Sequence, residues 1–131
     1  MSSLFTKIIR GEIPCHKVAE DDDNFAFMEI SPLKKGHVLV IPKAEIDYIF
    51  DLEDAALSSL MTFAKKVAHA VKKAVPCEKV AVIVYGLEVR HAHIHLVPAS
   101  GEAGELNFTN KKRADDQELA STSAAIRSFL K

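Results

Sequence analysis

The segment His91–Pro98, which reads His-Ala-His-Ile-His-Leu-Val-Pro, constrains the fold of this chain most strongly. Its three histidines alternate strictly with apolar residues. In a β-strand, alternate side chains point to opposite faces, so one face has three imidazoles and the other has Ala92, Ile94 and Leu96. A helix would scatter the same histidines, because residues two apart are not neighbours on a helix. We therefore predict a strand whose apolar face packs against a hydrophobic layer.

Periodicity along the rest of the chain predicts both strands and helices. One apolar stripe indicates a long helix over Asp51–Val75, with Asp51 as its N-cap and Pro76 as its stop. Lys79–Tyr85 is almost wholly apolar, which predicts a central strand covered on both faces and joined to the histidine strand by a hairpin. The other predicted elements are a short helix at 4–10 that Gly11 can end, strands at 15–20, 25–30 and 37–42, and a C-terminal helix within 115–131. This order predicts an α+β fold with a largely antiparallel sheet and the long helix on one face.

Composition limits the class of protein. The chain has 131 residues, 48% hydrophobic and 27% charged, which suits a single globular domain over 1–131. A net charge of -1 argues against a broad basic surface for non-specific nucleic-acid binding. Cys15 and Cys77 form no CxxC pair, so we expect reduced thiols and a cytoplasmic location. No stretch has the pattern of a signal peptide or a membrane span, so we expect no membrane partner.

Three aligned histidines are compatible with more than one chemistry. Histidine is the commonest metal ligand, but strand positions 91 and 95 lie roughly 13 Å apart, too far for both rings to reach one zinc ion. We predict no metal or other cofactor, although two of the histidines with a ligand from elsewhere could still bind an ion. A row of imidazoles suits an extended anion such as a phosphate chain, and one ring nitrogen can attack it and form a covalent intermediate. The remaining alternative is three histidines tolerated on a half-exposed face.

The pattern His91-x-His93-x-His95-Leu-Val resembles the signature of the histidine triad (HIT) family, in which three histidines alternate with apolar residues. Other segments are similar to the N-terminal signature of the family's nucleotide-binding, phosphoramidase-like branch and to its next two strands: 5–14 with 17–21, 26–32 and 36–43. The resemblance covers residues 4–98. It implies one HIT domain with an antiparallel sheet of about five strands, one long helix on one face, a short N-terminal helix, and a C-terminal loop and helix over 99–131.

The resemblance implies a nucleotide hydrolase or transferase that acts at the α-phosphate of a nucleoside phosphoramidate or a dinucleoside polyphosphate. His93 would be the nucleophile that becomes nucleotidylated, His95 would contact the phosphate, and His91 would support proton transfer. His37 matches the family's fourth histidine, behind the triad. The residues implied to bind a purine nucleotide are Phe5, Ile8, Phe27 and Ile30 around the base, Glu29 at the ribose hydroxyls, and Glu88. Independently, the alternation of the strand at 25–30 places Phe27 and Glu29 on one face.

Two positions just before the triad depart from the family's pattern, and Glu29 stands where the ribose-binding residue is usually Asp. Leu87 stands where a polar side chain that helps to position the phosphate is usual, and Glu88 stands where a small hydroxyl is often found. An acid there would repel phosphate unless it points away. These departures support a second hypothesis, a nucleotide-binding protein with weak or no turnover. The resemblance also implies a homodimer, formed through the long helix and an edge strand.

Overall fold

The computed structural model describes residues 2–130. Its helices and strands are α1 (Leu4–Ile9), β1 (Lys17–Glu20), β2 (Asn24–Met28), β3 (Val38–Pro42), α2 (Asp54–Ala74), β4 (Lys79–Ile83), β5 (Ile94–Ala99) and α3 (Asp116–Arg127). The strands form one five-stranded sheet in the order β1-β2-β3-β5-β4, and every neighbouring pair is antiparallel. The predicted α+β fold with an antiparallel sheet is confirmed. Within residues 2–130, no helix is long and apolar enough to cross a membrane.

The main hydrophobic core lies between the sheet and the helices α2 and α3. Leu60, Val67 and Val71 on the inner side of α2 are fully buried there. The same core contains the apolar side of the histidine segment: Ala92, Ile94 and Leu96. The packing predicted for that side is therefore confirmed, and the long helix covers one face of the sheet.

The opposite face of the sheet is covered by α1 and a smaller apolar cluster formed by Phe5, Phe25, Phe27, Leu39 and Ile41. Ser3 is the N-cap of α1, and its side chain accepts a hydrogen bond from the Thr6 N–H. The helix ends as predicted at Gly11, whose φ of 79° is a left-handed conformation that glycine adopts without strain. Because both faces are covered, β2 and β3 are buried along their whole length.

The strand β4 lies at an edge of the sheet, so the prediction of a central strand is wrong. Val82 is 52% exposed and Tyr85 is 64% exposed. An apolar run does not show how many strands pair with it, and within residues 2–130 only β5 pairs with β4. The predicted antiparallel pairing with the histidine strand is confirmed, although the connection runs over residues 84–93 and is longer than the predicted hairpin loop.

The long helix begins later than predicted, at Asp54, with Glu53 as its N-cap. The predicted cap, Asp51, instead ends a short 3-10 turn over Ile49–Asp51. Ile49 and Leu52 are buried, and Leu52 has an extended backbone that interrupts the helical path. Because these two side chains are held in the core, the helix begins after Leu52 and Asp51 does not act as its N-cap.

Candidate active site

The sheet face opposite α2 places the central residues of the site in one row. Phe27 of β2 pairs with Leu39 of β3, and Leu39 pairs with His95 of β5, so the three side chains point to the same face. Beyond the ends of β2 and β3, the Glu29 N–H donates to the His37 carbonyl at 3.0 Å. The sheet therefore brings together an aromatic ring, a carboxylate and two imidazoles that are distant in sequence.

The histidine strand starts later than predicted, because regular pairing begins at Ile94. The Ala92 N–H donates to the Ile46 carbonyl at 2.7 Å, outside the sheet. The His91 carbonyl accepts a hydrogen bond from His93 Nδ1, also at 2.7 Å. These bonds give backbone groups of residues 91–93 partners that are not on a neighbouring strand. As a result, the three histidines occupy three different environments.

A cavity of about 450 Å³ lies over this face of the sheet, a size typical of small-molecule sites. Eight residues proposed from the sequence line it: Phe5, Ile8, Phe27, Glu29, Ile30, Glu88, His93 and His95. His37 and His91 do not line it, and both are fully buried. The other lining residues are Leu4, Ile13, Pro14, Cys15, Met28, Ser31, Leu39, Tyr85, Gly86, Val89, Phe108 and Lys111. Leu87 is outside this set. The cavity is therefore largely apolar, with a few polar groups that converge on it.

His37 and His95 form a hydrogen-bonded pair. The Leu33 N–H donates to His37 Nδ1 at 3.0 Å, so that nitrogen has no proton. The proton of neutral His37 is therefore on Nε2, which donates to His95 Nδ1 at 2.9 Å. Burial, reinforced by the neighbouring imidazoles and by Lys111, lowers the pKa of His37 to about 3 and the pKa of His95 to about 4. Neutral His95 must then have its proton on Nε2, as a hydrogen-bond donor at the cavity.

His93 has the opposite tautomer. Its Nδ1 lies 2.7 Å from the His91 carbonyl oxygen, which can only accept, so Nδ1 has the proton and Nε2 of the neutral ring has a lone pair. Nε2 has no protein partner among residues 2–130, and no described side-chain nitrogen or oxygen is both buried and unpartnered, so Nε2 is accessible from the cavity. Phe5 packs edge-on against the ring with centroids 5.1 Å apart. A neutral imidazole with an accessible lone pair is suited to nucleophilic attack.

His91 is hydrogen-bonded to the protein through both ring nitrogens. Nε2 donates to the Pro42 carbonyl at 2.8 Å, and Nδ1 therefore accepts from Ser3 Oγ at 2.7 Å. Burial lowers the pKa of His91, opposed by the bond to Pro42 and by the charge of Glu45. Ser3 is also the N-cap of α1. His91 thus connects the N-terminal helix to the end of β3, and it has no free nitrogen for a ligand.

A chain of polar groups leads from this histidine to the surface. Ser3 Oγ lies 3.1 Å from Thr6 Oγ1, and Thr6 Oγ1 donates to Glu45 Oε1 at 2.6 Å. The Ser3 N–H donates to the same carboxylate oxygen at 2.6 Å. Because the Ser3 N–H and the Thr6 hydroxyl stabilise its charged form, the pKa of Glu45 falls to about 2. The N-terminus of α1 is therefore fastened to both His91 and Glu45.

Two cavity residues come from the C-terminal segment, for which the sequence predicts only a loop. Phe108 packs edge-on against His95 with centroids 5.1 Å apart, and Lys111 Nζ lies 5.6 Å from the centre of the Phe108 ring. The Ala114 N–H donates to the Ile30 carbonyl at 2.8 Å and fastens this segment beside the end of β2. Periodicity cannot find such residues, because the segment has no strand or helix pattern. The one available signal is a single aromatic residue within a polar stretch.

Glu29, His37 and His95 have donor atoms within 4.8 Å of one another, a spacing that could hold a metal ion. Their hydrogen bonds oppose that use. His37 Nδ1 already accepts from the Leu33 N–H, so a metal would have to displace the Nε2 proton that His37 donates to His95. The arrangement is explained without a metal, as a hydrogen-bonded pair beside a carboxylate.

Comparison with known proteins agrees with this geometry. Residues 10–102 match the family model described as the HIT domain. The chain is 32% identical to Protein hit of Bacillus subtilis, over 97% of this chain and 93% of that protein. It is 36% identical to an adenosine 5'-monophosphoramidase of Schizosaccharomyces pombe, over 78% of this chain and 77% of the relative. A solved structure of a Hit-like protein from Bartonella henselae matches with a TM-score of 0.86 and 33% identity, over 98% of this chain and 96% of that one.

An antiparallel sheet with a long helix on one face and alternating histidines beside an apolar cavity defines a histidine triad protein. The chain belongs to the HIT domain family. The family resemblance drawn from the sequence is thereby confirmed.

Proposed function

We propose that this protein is a nucleotide hydrolase or transferase that acts at the α-phosphate of a nucleoside phosphoramidate or a dinucleoside polyphosphate. The main support is the pair of opposite tautomers at the cavity: in their neutral forms, His93 has its lone pair on Nε2 and His95 has an N–H donor there. The two ring centroids are 5.0 Å apart. A nucleophile and a hydrogen-bond donor at that spacing can act on the same phosphate group. Similarity to an adenosine 5'-monophosphoramidase is a second, independent support.

The proposed reaction has two steps. His93 Nε2 attacks the α-phosphorus, and the bond from phosphorus to the leaving group breaks, so that an amine leaves with a proton taken from solvent or a phosphate leaves as its anion. Attack puts positive charge on the imidazole, which the His91 carbonyl stabilises from 2.7 Å away, while His95 Nε2–H donates to a phosphate oxygen. Water then attacks the phosphorus of nucleotidyl-His93, and the bond from phosphorus to Nε2 breaks. A nucleoside monophosphate leaves and the water proton passes to solvent, or another acceptor takes the place of water and receives the nucleotidyl group.

The apolar part of the cavity supports a base pocket for a purine. Phe5 and Phe27 meet edge to face with centroids 5.4 Å apart, and Ile8 and Ile30 also line the cavity. A planar base can pack between aromatic and aliphatic side chains of this kind. Glu29, which is largely buried, would accept hydrogen bonds from the ribose hydroxyls.

The role of His91 in this proposal is indirect. The Pro42 carbonyl and Ser3 Oγ occupy both of its ring nitrogens, so any proton that it transfers must pass through Ser3. The polar chain through Thr6 to the exposed Glu45 offers such a path to solvent. The more direct contribution is positional, because the His91 carbonyl holds the tautomer of His93.

A second candidate function is a nucleotide-binding protein with weak or no turnover. The connection over residues 84–93 supports it, because this segment has no serine, threonine, asparagine or glutamine to contact a phosphate or a leaving group. Glu88 lines the cavity instead, and its negative charge opposes the approach of a phosphate. Both candidates use the same nucleoside pocket and differ only in the chemical step.

Turnover of an adenosine phosphoramidate distinguishes the two candidates. The hydrolase proposal predicts AMP release by the wild-type protein and a fall in kcat of about 10⁴-fold or more in His93→Ala, because the nucleophile is gone. AMP binding should change much less than kcat in this variant. Tight AMP binding by a wild-type protein that releases no AMP would favour the second candidate.

We also propose a cytoplasmic homodimer formed through the edge strand β4 and the helix α2. Val82 of β4 and Met61 of α2 are exposed apolar side chains, and the exposed Tyr85 follows β4 in the chain. An exposed apolar edge strand is a surface that proteins usually cover. Both cysteines are free thiols, which suits a reducing compartment. Light scattering should give twice the monomer mass for the wild type and the monomer mass for Val82→Lys, and a monomeric wild type would contradict the dimer.

A further inference from the structure

The cavity has an unusual balance of charge for a phosphate site. Glu29 and Glu88 line it, and among its described lining residues Lys111 is the only lysine or arginine. The imidazoles of His95 and His37 add no charge near pH 7, because burial lowers their pKa values to about 4 and about 3. Lys111 is therefore the group that can offset the negative charge of a bound phosphate.

Lys111 is held between the two carboxylates. Its Nζ lies 3.7 Å from Glu29 Oε1 and 3.8 Å from Glu88 Oε2. These distances exceed the 2.7–2.9 Å typical of charge-assisted hydrogen bonds. An ammonium group has three N–H donors, so Lys111 keeps donors available for a ligand. Its side chain is only 18% exposed, which makes its charge less screened than that of a surface lysine.

Lys111 and His95 both contact the Phe108 ring. The centre of that ring lies 5.1 Å from the His95 centroid and 5.6 Å from Lys111 Nζ. Burial is the main cause of the lowered pKa of His95, and the charges of His93 and Lys111 lower it further. The next residues, Lys112 and Arg113, are exposed and outside the cavity lining, so Lys111 is the cation of this segment that faces the cavity.

The two carboxylates are not equivalent. Glu29 is 14% exposed and sits beyond the end of β2, where it also accepts a hydrogen bond from the Ser31 N–H. Glu88 is 70% exposed and belongs to the long connection before β5. A solvated glutamate loses little when its ion pair is broken, because water replaces the partner. Glu88 is therefore the partner of Lys111 that an incoming phosphate can displace.

We propose that Lys111 binds the phosphate group of the nucleotide, and that Glu88 is the counter-ion which Lys111 exchanges for that phosphate. This inference rests on the nucleotide site proposed above and names the group that neutralises its ligand. In this proposal Glu88 does not block phosphate binding, but competes with the phosphate for Lys111. Ligands with phosphate should then depend on Lys111, and the nucleoside alone should not.

Calorimetric titration tests this exchange by measuring the affinities for AMP and for adenosine at the same low ionic strength. For Lys111→Met we expect AMP affinity to fall about ten-fold or more and adenosine affinity to change less than about two-fold. Lys111→Arg should keep AMP affinity within about three-fold of the wild type, because the charge is retained. Glu88→Gln should bind AMP about three-fold more tightly, because the competitor is gone. Lys112→Met, which removes a neighbouring charge outside the cavity, is the matched control and should leave both affinities unchanged.

Each other outcome has a defined meaning. If Lys111→Met lowered the affinities for AMP and for adenosine equally, the proposal would be overturned, because Lys111 would then only support the structure of the pocket. If Lys112→Met lowered the affinity for AMP as much as Lys111→Met does, the proposal would also be overturned. The affinity would then depend on the net charge of the protein and not on Lys111 itself. AMP binding by the wild type without turnover leaves this inference standing while the hydrolase proposal fails. A wild-type protein that binds no AMP overturns both.

Discussion

The two ends of the histidine triad are chemically different although the sequence gives them the same residue. At one end, His91 is fully buried, and the protein occupies both of its ring nitrogens. At the other end, His93 and His95 line the cavity, and each keeps Nε2 accessible. We call these the closed end and the open end. Backbone carbonyls and N–H groups therefore determine the tautomer of each histidine in the triad, and with it the role that the ring can take.

The largest effect expected on stability is its dependence on pH, which arises from His95 of the open end and from the buried His37 that bonds to it. His37 and His95 have pKa values near 6.5 when unfolded but about 3 and about 4 when folded. Below pH 6.5 the unfolded chain therefore binds more protons, so stability is fully present above pH 6.5 and falls as pH drops towards 4. The loss from His95 alone is on the order of 3 kcal/mol. Urea unfolding between pH 7 and 4 should show this loss, with a smaller loss in His95→Asn; equal slopes would contradict the assignment.

The second effect concerns the tautomer at the open end. His37→Ala removes the N–H that donates to His95 Nδ1, so the His95 proton is no longer held on Nε2. Loss of such an orienting partner should lower kcat/KM by about 10–100-fold. His69→Ala, which removes an exposed histidine of α2, is the control and should change nothing. Ring-nitrogen NMR of the wild type should show the Nε2–H form of His95 and the Nδ1–H form of His93. The reverse pattern would contradict the tautomers assigned to these two histidines.

The smallest effect belongs to the closed end. Ser3→Ala removes both the N-cap of α1 and the donor to His91 Nδ1. The free energy of unfolding should fall by about 1–2 kcal/mol, while kcat stays within about three-fold of the wild type. Ser2→Ala, which loses one exposed bond from Arg10, is the matched control. A fall in kcat of more than about ten-fold with normal stability would show that the closed end takes part in proton transfer.

Features with a local pattern could be predicted from the sequence. Alternation alone places Ala92, Ile94 and Leu96 in the core, and the same period places Phe27 on the cavity face. The family follows from the spacing of the histidines together with the segments before them. All the nucleotide-pocket residues implied by the family resemblance line one cavity, although their roles remain a proposal.

Features that depend on tertiary contacts could not be predicted. The apolar pattern of β4 gives no sign that the strand lies at an edge. Phe108 and Lys111 belong to a segment that tertiary contacts hold at the cavity, among them the bond from the Ala114 N–H to the Ile30 carbonyl. The tautomers depend on backbone groups of other segments, such as the Leu33 N–H. Sequence periodicity contains no information on such partners.

We expect His93, and neither of its neighbours in the triad, to be the nucleophile. Intact mass measured under denaturing conditions, after rapid mixing with an adenosine phosphoramidate, tests it directly. We expect the wild type to gain one adenylyl group, which peptide mapping should locate on His93 and which should be absent from His93→Ala. An adenylyl group on His91 or His95, or one that persists in His93→Ala, would contradict the claim.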